Sequence, residues 1–264
     1  MGFAAIDGVT LNFRLSGSGD GVPLVLANSL GTDLRIWDEL VPALALHRAV
    51  LSYDKRGHGL SDTPPGPYSL NDHSRDLLGL AARAGFERFA ICGISIGGMI
   101  AMQVAAQQPD RVAALVLCDA AASIGTAESW RERIAAVEAG GMPSISETLL
   151  SRWLSPGHRA QHPTAFAGWR NMLDRCPADG YTACCATVRD ANLSGLLTRI
   201  VAPTLVVAGE HDVVTPPEVA QALAANIQGA RFELLRGSGH VPAIEQPRAL
   251  ASLIQSHLSE VLDA

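Results

Sequence analysis

Short apolar runs alternate with amphipathic stretches along most of this chain. Two runs, at 3–6 and 10–15, come first and are separated from the rest by a glycine-rich turn at 17–21. Each later run in the first half is long enough for a strand buried on both faces, and each of the first three is followed by a helix-like stretch. The strands are predicted at 24–27, 49–53, 89–92 and 113–118, and the helices at 37–45, 70–84 and 99–107.

The alternation stops after 113–118 and resumes at 203–209, a further buried strand. Between them, 129–194 is helical in pattern and carries several tryptophans. The chain then continues with a strand at 231–235 and a helix at 247–262. This order predicts an α/β fold with a mostly parallel, twisted, eight-stranded sheet flanked by helices. The core would comprise 1–122 and 200–264, and 123–199 would form a helical lid between strands six and seven.

The segment from Gly93 to Gly97 has the pattern Gly-x-Ser-x-Gly, with Ser95 at its centre. It follows the strand at 89–92 and precedes the helix at 99–107, which is the context of a nucleophile elbow. Small residues two positions to either side leave room for so sharp a turn. We therefore predict Ser95 as a nucleophile; the alternative is an ordinary tight turn in a glycine-rich chain.

A serine hydroxyl needs a base to remove its proton, and the usual base is a histidine oriented by an acid. His240 lies in a glycine-rich loop directly after the strand at 231–235, so it can reach Ser95. It is the predicted base.

The acid has two candidates, each directly after a predicted strand. Asp212 follows 203–209 through a Gly-x-x-Asp turn, and Asp119 ends 113–118. We favour Asp212, because that turn directs its side chain towards the site and gives the chain order serine, acid, histidine. Asp119 stays open as the alternative.

The developing oxyanion needs two backbone N–H donors. Ile96, the residue after the nucleophile, supplies one by position. The other is expected from Leu30, in the loop after the strand at 24–27. The alternative for that loop is an ordinary left-handed turn at Gly31.

Composition narrows the function further. The chain has 264 residues, 48% of them hydrophobic, which is enough for one large domain, and its net charge of −6 includes no basic patch for nucleic acid. The five cysteines show no Cys-x-x-Cys spacing, so we expect reduced thiols and neither a metal nor a redox cofactor. There is no apolar run of membrane-spanning length and no signal-peptide pattern at the start, so a cytoplasmic protein is expected.

Several longer segments are similar to the 3-oxoadipate enol-lactonases of the α/β-hydrolase superfamily. They occur in the predicted core and also in the lid, where substrate choice is normally set. The matching segments are 28–37, 53–61, 66–68, 121–126, Trp130-x-x-Arg133-Ile134, 140–142 and 180–185. Two positions depart from the usual pattern: Ile96, where methionine is common, and Lys55, where an uncharged residue is common.

The resemblance implies hydrolysis of 3-oxoadipate enol-lactone to 3-oxoadipate in the β-ketoadipate pathway of aromatic catabolism, without a cofactor. Ser95 would attack the lactone, with His240 as base and Asp212 as orienting acid. The substrate is a small anion, and burying its carboxylate unpaired would be costly. Among the lid arginines we choose Arg133 as its partner, with Trp130 and Trp153 also lining the substrate site.

Several alternatives stay open. Arg133 could be a surface arginine paired with Glu132 or Glu138. The protein could be another lidded carboxylesterase, a C–C bond hydrolase, or a ligand-binding receptor on a hydrolase scaffold. The oligomeric state is not indicated by the sequence.

Overall fold

The computed structural model describes residues Gly2–Leu262, within which eight strands form one sheet. The first two strands are antiparallel to their neighbours, and every other pairing is parallel. The predicted mostly parallel eight-stranded sheet is confirmed. The strands are β1 Gly2–Ile6, β2 Val9–Ser16, β3 Gly21–Ala27, β4 Arg48–Tyr53, β5 Phe89–Ile94, β6 Val112–Cys118, β7 Thr204–Gly209 and β8 Arg231–Leu235. In the sheet they lie in the order β1-β2-β4-β3-β5-β6-β7-β8.

Helices flank this sheet. The α-helices are α1 Val41–Leu44, α2 Leu70–Arg83, α3 Ile96–Gln107, α4 Ala127–Gly140, α5 Ser146–Trp153, α6 Pro156–Gln161, α7 Pro163–Asp174, α8 Ala178–Asp190, α9 Pro217–Ala225, α10 Pro242–Glu245 and α11 Pro247–Leu262. Short 3-10 helices occur at Leu34–Trp37, Pro109–Arg111, Met142–Ser144 and Ser194–Arg199. No helix within Gly2–Leu262 is long and apolar enough to cross a membrane.

The prediction of a single helix at 37–45 is wrong. The chain forms the 3-10 helix Leu34–Trp37 and then the separate short helix α1. Pro42 has no N–H to bond to the carbonyl of Asp38, so a continuous helix cannot run through it.

The centre of the sheet is the core of the protein. All residues of β5, β6 and β7 are buried, as expected for parallel strands covered on both faces. Helix α3 packs against β5 and β6 and is itself almost wholly buried. The elbow therefore lies between deeply buried elements of the fold.

Helices α4 to α8 all lie between β6 and β7 in the chain and contact loops at the carboxyl ends of the strands. A Cβ built on Gly57, after β4, would lie 2.6 Å from Cα of Gly180 in α8. The N–H of His240, after β8, donates to the carbonyl of Trp153 in α5 at 2.7 Å. The insertion thus covers the edge of the sheet where the predicted catalytic residues lie.

Candidate active site

Ser95 occupies the sharp turn between β5 and α3, with φ 57° and ψ −119°, a strained conformation for a residue with a side chain. A Cβ on Gly93 would lie 2.3 Å from the Gly97 carbonyl oxygen, and one on Gly97 would lie 2.0 Å from the Ala27 carbonyl oxygen. Both positions therefore require glycine. The Ser95 N–H donates to the Cys118 carbonyl at 3.0 Å, and its side chain makes no capping hydrogen bond, which leaves Oγ available.

His240 and Asp212 form a buried hydrogen-bonded pair at the same edge. Their Nδ1 and Oδ2 atoms are 2.8 Å apart. Asp212 follows β7 in a tight turn, in which the Asp212 N–H donates to the Gly209 carbonyl at 3.1 Å. The loop before His240 is anchored too, because the Gly239 N–H donates to Glu245 Oε1 at 2.6 Å. The structure therefore brings together the two residues that the sequence proposed as acid and base.

The Asp212 carboxylate has a full set of donors. Oδ1 accepts from the N–H groups of Val214 at 2.7 Å and Thr215 at 3.2 Å, and Oδ2 accepts from Thr215 Oγ1 at 2.7 Å. Burial raises the pKa of Asp212, but the interaction with His240 and these hydrogen bonds outweigh burial, so the pKa lies below its ordinary value. An ionised Asp212 is an acceptor for the Nδ1–H of His240, and in that tautomer Nε2 carries no proton. Sequence reasoning missed Thr215, whose only signal was the spacing Asp-x-x-Thr before α9.

Asp119, the alternative acid, lies beside this pair but makes a different hydrogen bond. Its Oδ1 accepts from the Gly209 N–H at 2.7 Å, and its backbone has φ 46°. Burial and the charge of Asp212 raise the pKa of Asp119 well above its ordinary value, which favours its protonated form. The acid bonded to His240 is Asp212.

Asp119, Asp212 and His240 are also the one trio of potential metal ligands that converges anywhere between residues 2 and 262, with ligand atoms within 4.8 Å of one another. Their ligand atoms already serve each other and the backbone. His240 Nδ1 is bonded to Asp212 Oδ2, and Asp119 Oδ1 accepts from the Gly209 N–H. A metal would have to displace those bonds, so the donor set fits a hydrogen-bonded pair better than a metal centre.

The loop after β3 presents a free backbone donor next to the elbow. Gly31 has φ 76°, and its N–H donates to His58 Nε2 at 2.9 Å. The N–H of Leu30 has no partner within the described part of the chain. A Cβ built on Gly97 would lie 2.0 Å from the Ala27 carbonyl oxygen at the end of β3, so this loop adjoins the start of α3. The Ile96 N–H at that helix start has no intrahelical partner. The left-handed turn at Gly31 therefore exists and leaves the Leu30 donor free.

Two buried side chains hold this loop from behind, and sequence reasoning gave neither a catalytic use. Burial, with the nearby Lys55 cation, lowers the pKa of His58 well below its ordinary value, so the ring is neutral and Nε2 accepts from Gly31. The Lys55 ammonium donates to the Ser29 carbonyl at 2.7 Å. Only tertiary contacts could reveal these bonds.

The insertion between β6 and β7 contributes two buried tryptophans to this region. Trp153 is buried, and its ring lies 3.3 Å from a Cβ built on Gly31. Trp130 donates its indole N–H to the Ile124 carbonyl at 2.6 Å, so that group is already satisfied. Trp153 thus contributes apolar surface beside the Gly31 loop, and Trp130 contributes apolar surface near Ile124, at the start of the insertion.

Arg133 is half-buried, with its guanidinium 4.4 Å from the Trp130 ring centroid. Over Gly2–Leu262 it has no carboxylate partner, including Glu132 and Glu138. Burial raises the pKa of Tyr181, and the Arg133 cation partly opposes that rise. The Arg133 guanidinium therefore lies near the buried Tyr181 side chain. By contrast, exposed Arg131 and Arg170 pair with Glu128 and Glu147, respectively.

Comparisons with known proteins agree with this geometry. A family model described as the alpha/beta hydrolase fold matches residues 22–247. The 3-oxoadipate enol-lactonase 2 of Acinetobacter baylyi is 33% identical over 248 residues, which are 94% of this chain and 92% of the relative. The crystal structure of the enol-lactonase from Burkholderia xenovorans LB400 superposes with a TM-score of 0.95 at 35% identity, covering 98% of this chain and 100% of that chain. A thermophilic esterase from Thermogutta terrifontis superposes with a TM-score of 0.93 at 28% identity, covering 99% of both chains. The resemblance stated from the sequence motifs is confirmed.

Proposed function

The chain belongs to the α/β-hydrolase family, and we propose that within it the protein is a serine hydrolase that opens 3-oxoadipate enol-lactone to 3-oxoadipate. The observation that carries the catalytic part is the 2.8 Å His240–Asp212 pair at the same sheet edge as the Ser95 elbow. The enol-lactonases among the relatives support the substrate. The hydrolase assignment follows from the family, and the substrate and residue roles are the proposal.

In this mechanism His240 Nε2 removes the Ser95 proton while Oγ attacks the lactone carbonyl carbon. Asp212 holds the tautomer that leaves Nε2 bare and stabilises the imidazolium that forms. The negative charge on the carbonyl oxygen is received by the N–H groups of Leu30 and Ile96. The helix that begins at Ile96 adds a favourable field for that charge.

Collapse of the tetrahedral intermediate breaks the ring C–O bond. The enolate oxygen takes the proton from His240, and the acyl group stays on Ser95. His240 then removes a proton from water, the hydroxide attacks the acyl carbon, and Ser95 is released with its proton restored. An enolate is a good leaving group, so this chemistry needs no metal or organic cofactor.

We assign the substrate's carboxylate to Arg133. The guanidinium has no carboxylate partner within residues 2–262, lies on the Trp130 ring, and lies near buried Tyr181. The Tyr181 ring is in turn 3.2 Å from a Cβ built on Gly31, next to the Leu30 donor. A half-buried cation without a carboxylate partner suits a small anionic lactone.

We propose that the core and the lid contribute different residues to the site. The core, 1–122 and 200–264, carries Ser95, Asp212 and His240, and the lid, 123–199, carries Arg133, Trp130 and Trp153. All five cysteines are free thiols, which suits a reducing compartment, so we propose action in the cytoplasm.

The decisive experiment is turnover of enol-lactone, followed by loss of its ultraviolet absorbance, alongside 4-nitrophenyl acetate as a simple ester. We expect kcat/KM for the lactone to exceed that for the ester. A carboxylesterase is the second candidate, because the Thermogutta terrifontis esterase superposes closely. Ester turnover without lactone turnover would favour it, and binding without turnover of either would favour a receptor.

A further inference from the structure

We propose that Lys55 is a positioning residue of the oxyanion hole, whose ammonium polarises the Ser29–Leu30 peptide and makes the Leu30 N–H a stronger donor to the oxyanion. The inference rests on the proposed serine-hydrolase function. It deepens that function by giving the buried cation behind the loop a role in the reaction.

The geometry supports an action through the peptide. Lys55 Nζ donates to the Ser29 carbonyl oxygen at 2.7 Å. That carbonyl and the Leu30 N–H are the two ends of one planar trans peptide unit, so they point in opposite directions. The ammonium therefore lies behind the hole and cannot touch the substrate. A donor on a carbonyl strengthens the N–H of the same peptide, because hydrogen bonds in a chain polarise one another.

The Ser29 carbonyl does not need a charge to be held in place. It also accepts from Thr32 Oγ1 at 2.9 Å and from the Thr32 N–H at 3.3 Å. Lys55 is completely buried and forms no ion pair with any of the described carboxylates. Burying an ammonium with no carboxylate in contact is unfavourable, whereas the neutral Thr32 donors already fix the loop. A cation here is explained by the negative charge that forms on the far side of the peptide.

The ammonium also titrates in an accessible range. Burial lowers the pKa of Lys55 to about 8, so the cation is mostly present at pH 7 and is lost as the pH rises through 8. Burial raises the pKa of Cys176 to about 12 and that of Cys184 further, and burial lowers the pKa of His73 to about 3. Activity should therefore fall above pH 8 as Lys55 loses its proton. The titratable groups that face Lys55 from the packed elements are Asp33, Asp54, His58, His73, Cys176 and Cys184.

The test compares Lys55→Met, which keeps an unbranched chain and removes the ammonium, with Thr32→Val, which removes a neutral donor from the same carbonyl. We expect Lys55→Met to lower kcat for 4-nitrophenyl acetate roughly 10- to 100-fold with little change in KM, and Thr32→Val to lower it less. The wild type and Thr32→Val should show the fall above pH 8, and Lys55→Met should not. Because the variant no longer buries a charge, its Tm at pH 7 should stay level or rise.

A second measurement does not depend on turnover. Phenylboronic acid forms a tetrahedral adduct with an active serine, and its affinity for Lys55→Met should fall about 10-fold or more. Unchanged boronate affinity, a persistent alkaline limb, or a Tm that drops together with kcat would overturn the role of Lys55. A wild type that turns over neither lactone nor aryl ester would instead defeat the proposed function, and boronate binding would still decide the role of Lys55.

Discussion

Replacing each of the two buried aspartates by asparagine separates their roles. In Asp212→Asn, the amide oxygen can still accept from the N–H groups of Val214 and Thr215, which now bind Oδ1. The amide NH₂ then faces His240 Nδ1, where the carboxylate oxygen is 2.8 Å away in the wild type. Two donors cannot face each other, so the ring must carry its proton on Nε2 and can no longer accept the Ser95 proton.

A wrong tautomer of this kind lowers kcat by about 10⁴-fold in serine proteases, and we expect a fall of roughly 10³- to 10⁴-fold here. That corresponds to about 4–5.5 kcal/mol of transition-state stabilisation. Asp119→Asn should be nearly silent, with less than about a 10-fold change, because Asp119 bonds to the Gly209 N–H and not to His240, and its raised pKa favours the neutral carboxyl that an amide resembles. Its amide oxygen can still accept from the Gly209 N–H, now 2.7 Å from Oδ1.

The assay is steady-state hydrolysis of enol-lactone and of 4-nitrophenyl acetate at pH 7, with circular dichroism to confirm that both variants are folded. Equal losses in the two variants would refute the assignment of Asp212 as the sole orienting acid. A large loss in Asp119→Asn alone would reverse it.

Three further outcomes are expected. Ser95→Ala and His240→Ala should each lower kcat by about 10⁴-fold or more without unfolding the protein, and near-normal turnover by pure Ser95→Ala would rule out the mechanism. Arg133→Ala should raise KM for the lactone roughly 10- to 100-fold but change hydrolysis of a neutral aryl acetate much less, with Arg131→Ala as the matched exposed control; equal losses on both substrates would contradict charge recognition. Asp119→Asn should raise Tm at pH 7 but not at pH 3, because a raised folded-state pKa means that the unfolded chain loses this proton first, so wild-type stability falls as the pH rises above the ordinary value. An equal Tm shift at both pH values would show that folding does not raise the pKa of Asp119.

The sequence by itself determined the order of strands and helices and the place of the elbow. Buried parallel strands require continuous apolar runs, and the strained turn at Ser95 requires glycine at 93 and 97, so both leave a local signature. Its main local failure was the helix expected at 37–45, where Pro42 interrupts an otherwise suitable pattern.

Only the tertiary structure decided which partners the polar side chains have. Asp119 and Asp212 each follow a strand, and the sequence could rank them but not show which one bonds to His240. Lys55 is 26 residues from Ser29 in the chain, and their contact exists because β3 and β4 are neighbours in the sheet. Hydrogen bonds and charge shifts depend on which groups converge in three dimensions and how deeply they are buried, and no local pattern of residues records either quantity.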